Sequence, residues 1–213
     1  MHDKGFFISI EGVDGSGKST LINKLEQALT EISRNVLITK EPGGSMLGEM
    51  LRNILQKSPE KLDGKAEFLL FAADRAQHFA RVIIPALQKG TFIISDRGAD
   101  SSLAYQGYGH NVNLSIIKLI NSWIMQNTVP SITFYLRVDV ETATQRLLAN
   151  REELTTFEKE KIDFWKRVIN GYEEIFAKRP NAIVLEALHD PDVLFTQAWN
   201  HLSSIVKPLQ QEV

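Results

Sequence analysis

The stretch IEGVDGSGKSTL, residues 10–21, sets Gly12, Gly17, Lys18 and Ser19 in the spacing G-x-x-x-x-G-K-S, and that spacing confines the chain to one local geometry. A strand must enter the loop and a helix must leave it. Both are legible: FFISI at 6–10 precedes it, and Leu21, Leu25, Leu29 and Ile32 recur on one stripe after it. Gly12, Gly15 and Gly17 let backbone N–H groups converge on phosphate oxygens with no side chain intervening, and the helix N-terminus adds partial positive charge. Lys18 supplies a mobile cation for β and γ oxygens, and the Ser19 hydroxyl is a ligand for Mg2+. The candidate ATP-binding residues are therefore Gly12, Val13, Asp14, Gly15, Ser16, Gly17, Lys18, Ser19 and Thr20. The loop leaves open what receives the phosphoryl group.

Further β-rich apolar runs occur at 36–39, 91–95, 131–138 and 182–186, separated by segments of helical periodicity. Strands alternating with helices read as βαβ units, and hydrophobicity that is continuous along each strand reads as burial on both faces. The expected fold is α/β, a five-stranded parallel sheet flanked by helices on both faces, in a single domain over 1–213. The clearest helix spans 157–178, where Phe157, Ile162, Trp165, Ile169, Tyr172 and Phe176 form a core stripe. The glycine- and serine-containing patches near 43–48, 98–109 and 150–156 read as working loops.

Composition narrows the partner. Hydrophobic residues make up 43% and charged residues 23%, ordinary globular usage that argues against disorder. With a net charge of -2 and scattered basic residues, neither a nucleic-acid nor a membrane footprint is expected, which leaves a small molecule. The absence of cysteine removes disulfides and thiolate sites and fits a reducing compartment. The five histidines show no metal-ligand spacing, so no bound transition metal is expected. No run approaches the roughly 18 apolar residues of a spanning helix, and a cytoplasmic location is expected.

FISIEGVDGSGKSTL, TKEPGG at 39–44, FLLFAADRAQH at 68–78 and SDRGADSSLAYQG at 95–107, in this order, resemble the thymidylate kinases over roughly residues 5–178. The resemblance implies the P-loop nucleoside-monophosphate-kinase fold, a homodimer, and transfer of the γ-phosphoryl of ATP to dTMP, giving dTDP. It implies that Asp14 binds the sugar 3'-hydroxyl, although an aspartate there can also stabilise the loop. Arg97 would hold the acceptor phosphate, with Asp96 orienting it or serving the Mg2+ shell. Phe71 would stack on thymine and Arg75 hydrogen-bond its O4; from spacing alone Phe71 suits a core. Tyr105 and Gln106 would line the sugar and base pocket, Ser102 would contact the pyrimidine, and Arg52 is either a second phosphate ligand or a surface residue. A phosphate monoester is largely dianionic near neutral pH, so no general base is needed, and positioning and charge neutralisation carry the catalysis.

The segment 146–156 takes the place of the family's lid and supplies Arg146 and Arg151. With Gly15 in the phosphate loop where other members carry an arginine, a lid arginine is expected to act, and Arg151 is the candidate although Thr155 and Thr156 replace the family's Asp-Arg pair. Gly98 stands in place of an aromatic, predicting space under the acceptor phosphate, and Lys40 in place of an arginine, losing bidentate geometry. Two other readings compete. A deoxynucleoside kinase would need a carboxylate base, for which Glu11 or Glu41 qualifies, and an ATP-driven switch would hydrolyse ATP regardless of acceptor.

Overall fold

Backbone pairing assembles β1 (Phe6–Glu11), β2 (Val36–Lys40), β3 (Phe92–Asp96), β4 (Ile132–Arg137) and β5 (Ala182–Glu186) into one all-parallel sheet of order β2-β3-β1-β4-β5. The computed structural model describes residues 5–150, 162–177 and 179–206. Side chains alternate across the sheet, and this alternation puts helices on both faces. Ile8, Ile10 and Ile94 pack with Leu21, Leu25 and Leu29 of α1 (Lys18–Glu31), while Phe7 and Ile93 turn the other way onto Phe79, Ile83 and Met125. β3 runs one residue further than the apolar run suggests, because the Glu41 N–H donates to the Asp96 carbonyl at 3.0 Å and prolongs the pairing.

Helix starts follow local chemistry. Ser45 caps α2 (Met46–Lys57), Asp63 caps α3 (Gly64–His78) and Asp190 caps α9 (Pro191–Ser203), each side chain accepting a backbone N–H of the first turn. A π-helical turn, Phe79–Ile83, joins α3 to α4 (Ile84–Gln88), whose start holds Pro85. That is a place where a missing N–H costs little. α6 (Leu114–Ile124), α7 (Val140–Asn150) and α8 (Ile162–Phe176) complete the set. Among the described residues no helix is long and apolar enough to cross a membrane.

Two expectations need correction. The patch 98–109 is not a loop: α5 (Ala99–Ser102) runs into a buried π-helical stretch, Leu103–Gly109. Two of its glycines, read as loop signals, serve close packing, Gly107 against Leu114 of α6 and Gly109 against α8. A Cβ at Gly109 would lie 2.5 Å from the Phe164 ring, and one at Gly171 would lie 2.7 Å from the ring of Tyr108. In the helix expected at 157–178, Trp165, Tyr172 and Phe176 are buried, but Ile162 is exposed and not part of the core. Residues 157–161 lie outside the described residues.

The strands β1, β2 and β3 all end at one edge of the sheet, so Glu11, Glu41 and Arg97 emerge together there. Ligands of open α/β sheets bind at this carboxyl edge. The tight seam between α8 and the π-helical stretch holds the far wall of that edge. Gly171→Ala should therefore lower stability by about 1–3 kcal/mol, the usual cost of overpacking, measured as a shift of the urea denaturation midpoint without a change in slope.

Candidate active site

The phosphate loop requires glycine where its backbone turns left-handed: Gly15 and Gly17 have φ of 80° and 95°, and Gly17 is the N-cap of α1. Lys18 is buried, donates to the Val13 carbonyl at 3.2 Å, and stands 3.6 Å from Asp14 Oδ1. Burial pulls its ammonium below the ordinary lysine value, and the charge of Arg97 acts in the same direction. A deep cleft opens above the loop, lined also by Ser19, Thr20, Lys40, Asp96 and Arg146. Arg146 reaches in from α7, its Nη1 3.5 Å from the Gly15 carbonyl. His189 and Pro191, from the β5–α9 connection, close the far side. Ser19 is exposed in this cleft, and Asp96 Oδ1 is buried with no hydrogen-bond partner. Two hard oxygens, one of them buried and unpaired, fit Mg2+.

A second cavity adjoins the first. Asp14, Arg52, Phe71, Arg75, Arg97, Ser102, Tyr105 and Gln106, brought from five separate segments of the chain, all line it. Asp14, Glu41, Arg52 and Arg97 line both cavities and so form the shared wall. Arg97 adopts a left-handed backbone, φ 72°, an uncommon and costly state for a non-glycine residue. It is held there by its N–H bond to the Ile10 carbonyl at 2.9 Å, by Asp14 Oδ1 at 2.8 Å from Nη2, and by the Tyr105 ring 5.1 Å beneath its guanidinium. Arg52 donates to the Pro42 carbonyl at 2.9 Å. Phe71 is half-buried and presents its ring to the cavity.

Arg75 is almost wholly buried. Nε donates to Glu41 Oε2 at 2.7 Å, Nη1 to Asn121 Oδ1 at 2.9 Å and Ser102 Oγ at 3.1 Å, and Nη2 to the Gly98 carbonyl at 3.0 Å. Four of the five guanidinium hydrogens are thereby committed, which leaves one to donate into the cavity. Gly98 does not simply leave room under a phosphate. Its carbonyl anchors Arg75, its open side faces Ser9 and Glu11, and its backbone is extended rather than left-handed. Lys40 pairs with Glu49 at 3.1 Å.

A model of the thymidylate kinase family matches residues 10–197. The thymidylate kinase of Halothermothrix orenii is 40% identical over 186 residues, covering 86% of this chain and 89% of that protein. The thymidylate kinase of Staphylococcus epidermidis is 36% identical over 205 residues, 96% of this chain and 98% of its own. The crystal structure of thymidylate kinase from Ehrlichia chaffeensis superposes with a TM-score of 0.76 at 33% identity, covering 93% of this chain and 99% of that one. The chain belongs to the thymidylate kinase family.

Several supporting residues escape sequence reading. Glu67, buried on α3, accepts Gln106 Nε2 at 2.6 Å. Asn121 supports Arg75 from α6, and Ser101 and Tyr172 contact Arg97 Nη1 at 3.3 and 3.4 Å. The one available signal is the tyrosine among phenylalanines and tryptophan on the α8 stripe, since a buried phenol needs a polar partner. Arg151, the expected lid arginine, lies outside the described residues, as do 152–156.

Beneath the Glu-Pro-Gly-Gly loop the site rests on buried charge. Glu41 accepts from Arg75 and bonds His78 Nδ1 at 3.1 Å, while His78 Nε2 meets Thr39 Oγ1 at 2.7 Å. Burial alone would raise the Glu41 carboxyl, but Arg75 and His78 hold it below its ordinary value. Asp74, also buried, accepts from the Gly43 N–H at 3.2 Å, and burial with the charge of Glu41 pushes it up to about 6. Both oxygens of Glu41 are therefore engaged, so Glu41 is not a free base for sugar-hydroxyl chemistry. Removing Arg75 strands a buried carboxylate, and Arg75→Met should cost about 3–5 kcal/mol in urea denaturation at pH 7. Because the depressed Glu41 contributes its stability above the unfolded-state value and loses it as pH falls, the deficit of the variant should shrink in acid.

Proposed function

We propose that the two adjoining cavities divide one reaction, ATP lying on the phosphate loop and dTMP in the cavity behind Arg97. Thymidylate kinase activity, the phosphorylation of dTMP to dTDP, is the activity of the family to which the chain belongs. The shared wall carries this reading: Asp14, Arg52 and Arg97 face both cavities, where a donor and an acceptor phosphate would meet. Two anions must approach there, and the chain supplies Lys18 on one side, Arg97 on the other and Arg146 above. Charge neutralisation and alignment are what an already anionic nucleophile requires. Mg2+, held by Ser19 and Asp96, would supply further neutralisation of the β and γ oxygens.

Roles in the acceptor cavity follow from what each group can offer. The half-buried Phe71 ring suits stacking on a pyrimidine, and the remaining Arg75 hydrogen suits a base carbonyl. Tyr105 and Gln106 bound the sugar side, Ser102 borders the ring, and Asp14 accepts the sugar 3'-hydroxyl. We place Arg151 of the lid segment over the transferred group. A single domain acting in the cytoplasm, on the path to dTTP, completes the reading. The purified chain should form dTDP from MgATP and dTMP, with little product from thymidine, dUMP or dCMP, as followed by chromatography of the nucleotides. Arg97→Lys should lower kcat/KM for dTMP about 100-fold, the scale of one lost preorganised charge contact; hydrolysis that ignores every acceptor would reject the assignment.

The subunit contact of the expected homodimer is best sought on α2, α3 and α6, which pack side by side. Their outer face exposes Met46, Met50 and Ile54 on α2, Leu69 on α3, and Leu119 and Trp123 on α6, the last 77% exposed. So much aligned apolar surface is unusual on a monomer. Sedimentation velocity should give a dimer for the native chain and a monomer for Leu119→Glu; a native monomer would remove the dimer reading.

A further inference from the structure

Behind Arg97, with Ser101 at the wall of the acceptor cavity and Glu11 and Tyr172 beneath it, three oxygens close a ring. Glu11, at the end of β1, is fully buried, and its Oε2 accepts from Ser101 Oγ at 2.7 Å and from the Tyr172 hydroxyl at 3.0 Å. The two hydroxyls are themselves 2.9 Å apart. Arg97 Nη1 donates toward both, at 3.3 and 3.4 Å, so the guanidinium leans on the ring with one edge and on Asp14 with the other.

Counting hydrogens decides the state of the ring. Three short oxygen contacts need three protons, and the two hydroxyls bring two. An ionised Glu11 accepts from both hydroxyls and leaves one of the three contacts without a proton; with the proton on Oε2 the order becomes head-to-tail, Oε2 donating to one hydroxyl and accepting from the other, and all three contacts are hydrogen bonds. The surroundings favour the proton: burial pushes the Glu11 carboxyl up to about 7, and Asp100 adds to the rise against the hydrogen bond of Ser101 and the charge of Arg97. The charged or titratable groups facing it are Asp100 from α5, Arg97 after β3, Tyr105 from the π-helical stretch, Tyr172 from α8 and Lys18 from α1. Asp100 is itself paired with Arg179.

We propose that Glu11, Ser101 and Tyr172 form a proton-holding ring that positions Arg97 for the acceptor phosphate, Glu11 staying neutral so that the guanidinium charge faces the substrate. The proposal rests on the reading that Arg97 receives the dTMP phosphate. Glu11 and Tyr172 line neither cavity and act through the guanidinium as positioning residues; Ser101 also lines the acceptor cavity, so Tyr172→Phe is the variant that isolates the positioning effect. Tyr172 has a further consequence, because it belongs to the helix that follows the lid segment and ties that helix to the acceptor clamp.

Linkage gives the ring a signature. A dianion brought to Arg97 favours neutral Glu11, so above pH 7 binding of dTMP must draw in a proton and KM for dTMP rises with pH. The acceptor's own second ionisation, near about 6, is complete by then. Steady-state kinetics over pH 6 to 9 test this on the intact enzyme. Tyr172→Phe and Ser101→Ala should each raise KM for dTMP about 10-fold, the scale of a lost hydrogen bond to a charged group, with KM for ATP unchanged. Glu11→Gln, neutral at every pH, should flatten the rise of KM above pH 7. Melting curves confirm that each variant is folded, and Tyr172→Phe, which deletes one oxygen, keeps the question open to test if Glu11→Gln is not. Native KM for dTMP persisting in both hydroxyl variants, or the pH rise persisting in Glu11→Gln, would overturn the ring. If Arg97→Lys is itself without effect, the acceptor reading fails instead; if Arg97→Lys is impaired and the ring variants are not, only the ring falls.

Discussion

The ion pair between Asp14 and Arg97, 2.8 Å long, is the contact on which the arrangement of the site depends. It joins the phosphate loop to the turn after β3, two segments that belong to different strands and would otherwise crowd cations against each other. Lys18 and Arg97 both line the cleft above the phosphate loop, and in isolation they repel. The Asp14 carboxylate, 3.6 Å from the one and 2.8 Å from the other, offsets that repulsion before any nucleotide arrives. It also balances the left-handed backbone of Arg97, whose strain of about 1–3 kcal/mol needs surrounding contacts to persist. Strain and charge are thus concentrated at the shared wall of the two cavities.

The base side of the cavity is built on a different principle. Arg75 and Glu41 are both buried, and a buried pair of this kind contributes little net stability over a well-packed apolar pair. What it fixes is orientation. With Nε on Glu41, Nη1 on Asn121 and Ser102, and Nη2 on Gly98, the guanidinium has one plane and one remaining hydrogen to present. A site that satisfies a polar ligand through such a fixed donor rejects a ligand lacking the matching acceptor, because the donor is then left unpaired in a dry pocket. The small helix-to-helix distances around Gly48 serve the same end: a Cβ there would lie 2.1 Å from Asp74, so α2 can carry Arg52 close to α3 only with glycine at that point.

Fold and phosphate loop were legible in the sequence because each has a local cause. The glycine spacing dictates strand, turn and helix, and five apolar runs of strand length leave few alternatives to a parallel sheet. That the residues named through resemblance line one cavity was not legible from spacing: spacing alone put Phe71 in the core, whereas it is half-buried on the cavity wall. What stayed hidden depends on distant partners. Gln106 and Glu67 lie 39 positions apart, Tyr172 and Glu11 161, and nothing in either neighbourhood announces the pairing. The π-helical stretch was misread for a related reason. Gly107 and Gly109 resemble turn residues until the facing side chains, Leu114 and Phe164, are known to occupy the space a Cβ would take.

That stretch shows how local geometry and chemistry are coupled in this chain. π-helical insertions cost hydrogen-bond quality and recur at functional sites. Here one run delivers Ser101, Ser102, Tyr105 and Gln106 to the same wall, so that adjacent residues serve different ends: Ser101 supports Arg97 and Ser102 supports Arg75, while Tyr105 lies under Arg97 and Gln106 is turned to Glu67. The supports of Arg97 and of Arg75 therefore share one short backbone segment. That segment is pressed against α8 by glycine contacts on both sides, at Gly109 and Gly171. Tyr172 reaches Arg97 from α8 across this seam, so the position of α8 and the orientation of the guanidinium are coupled through direct contact.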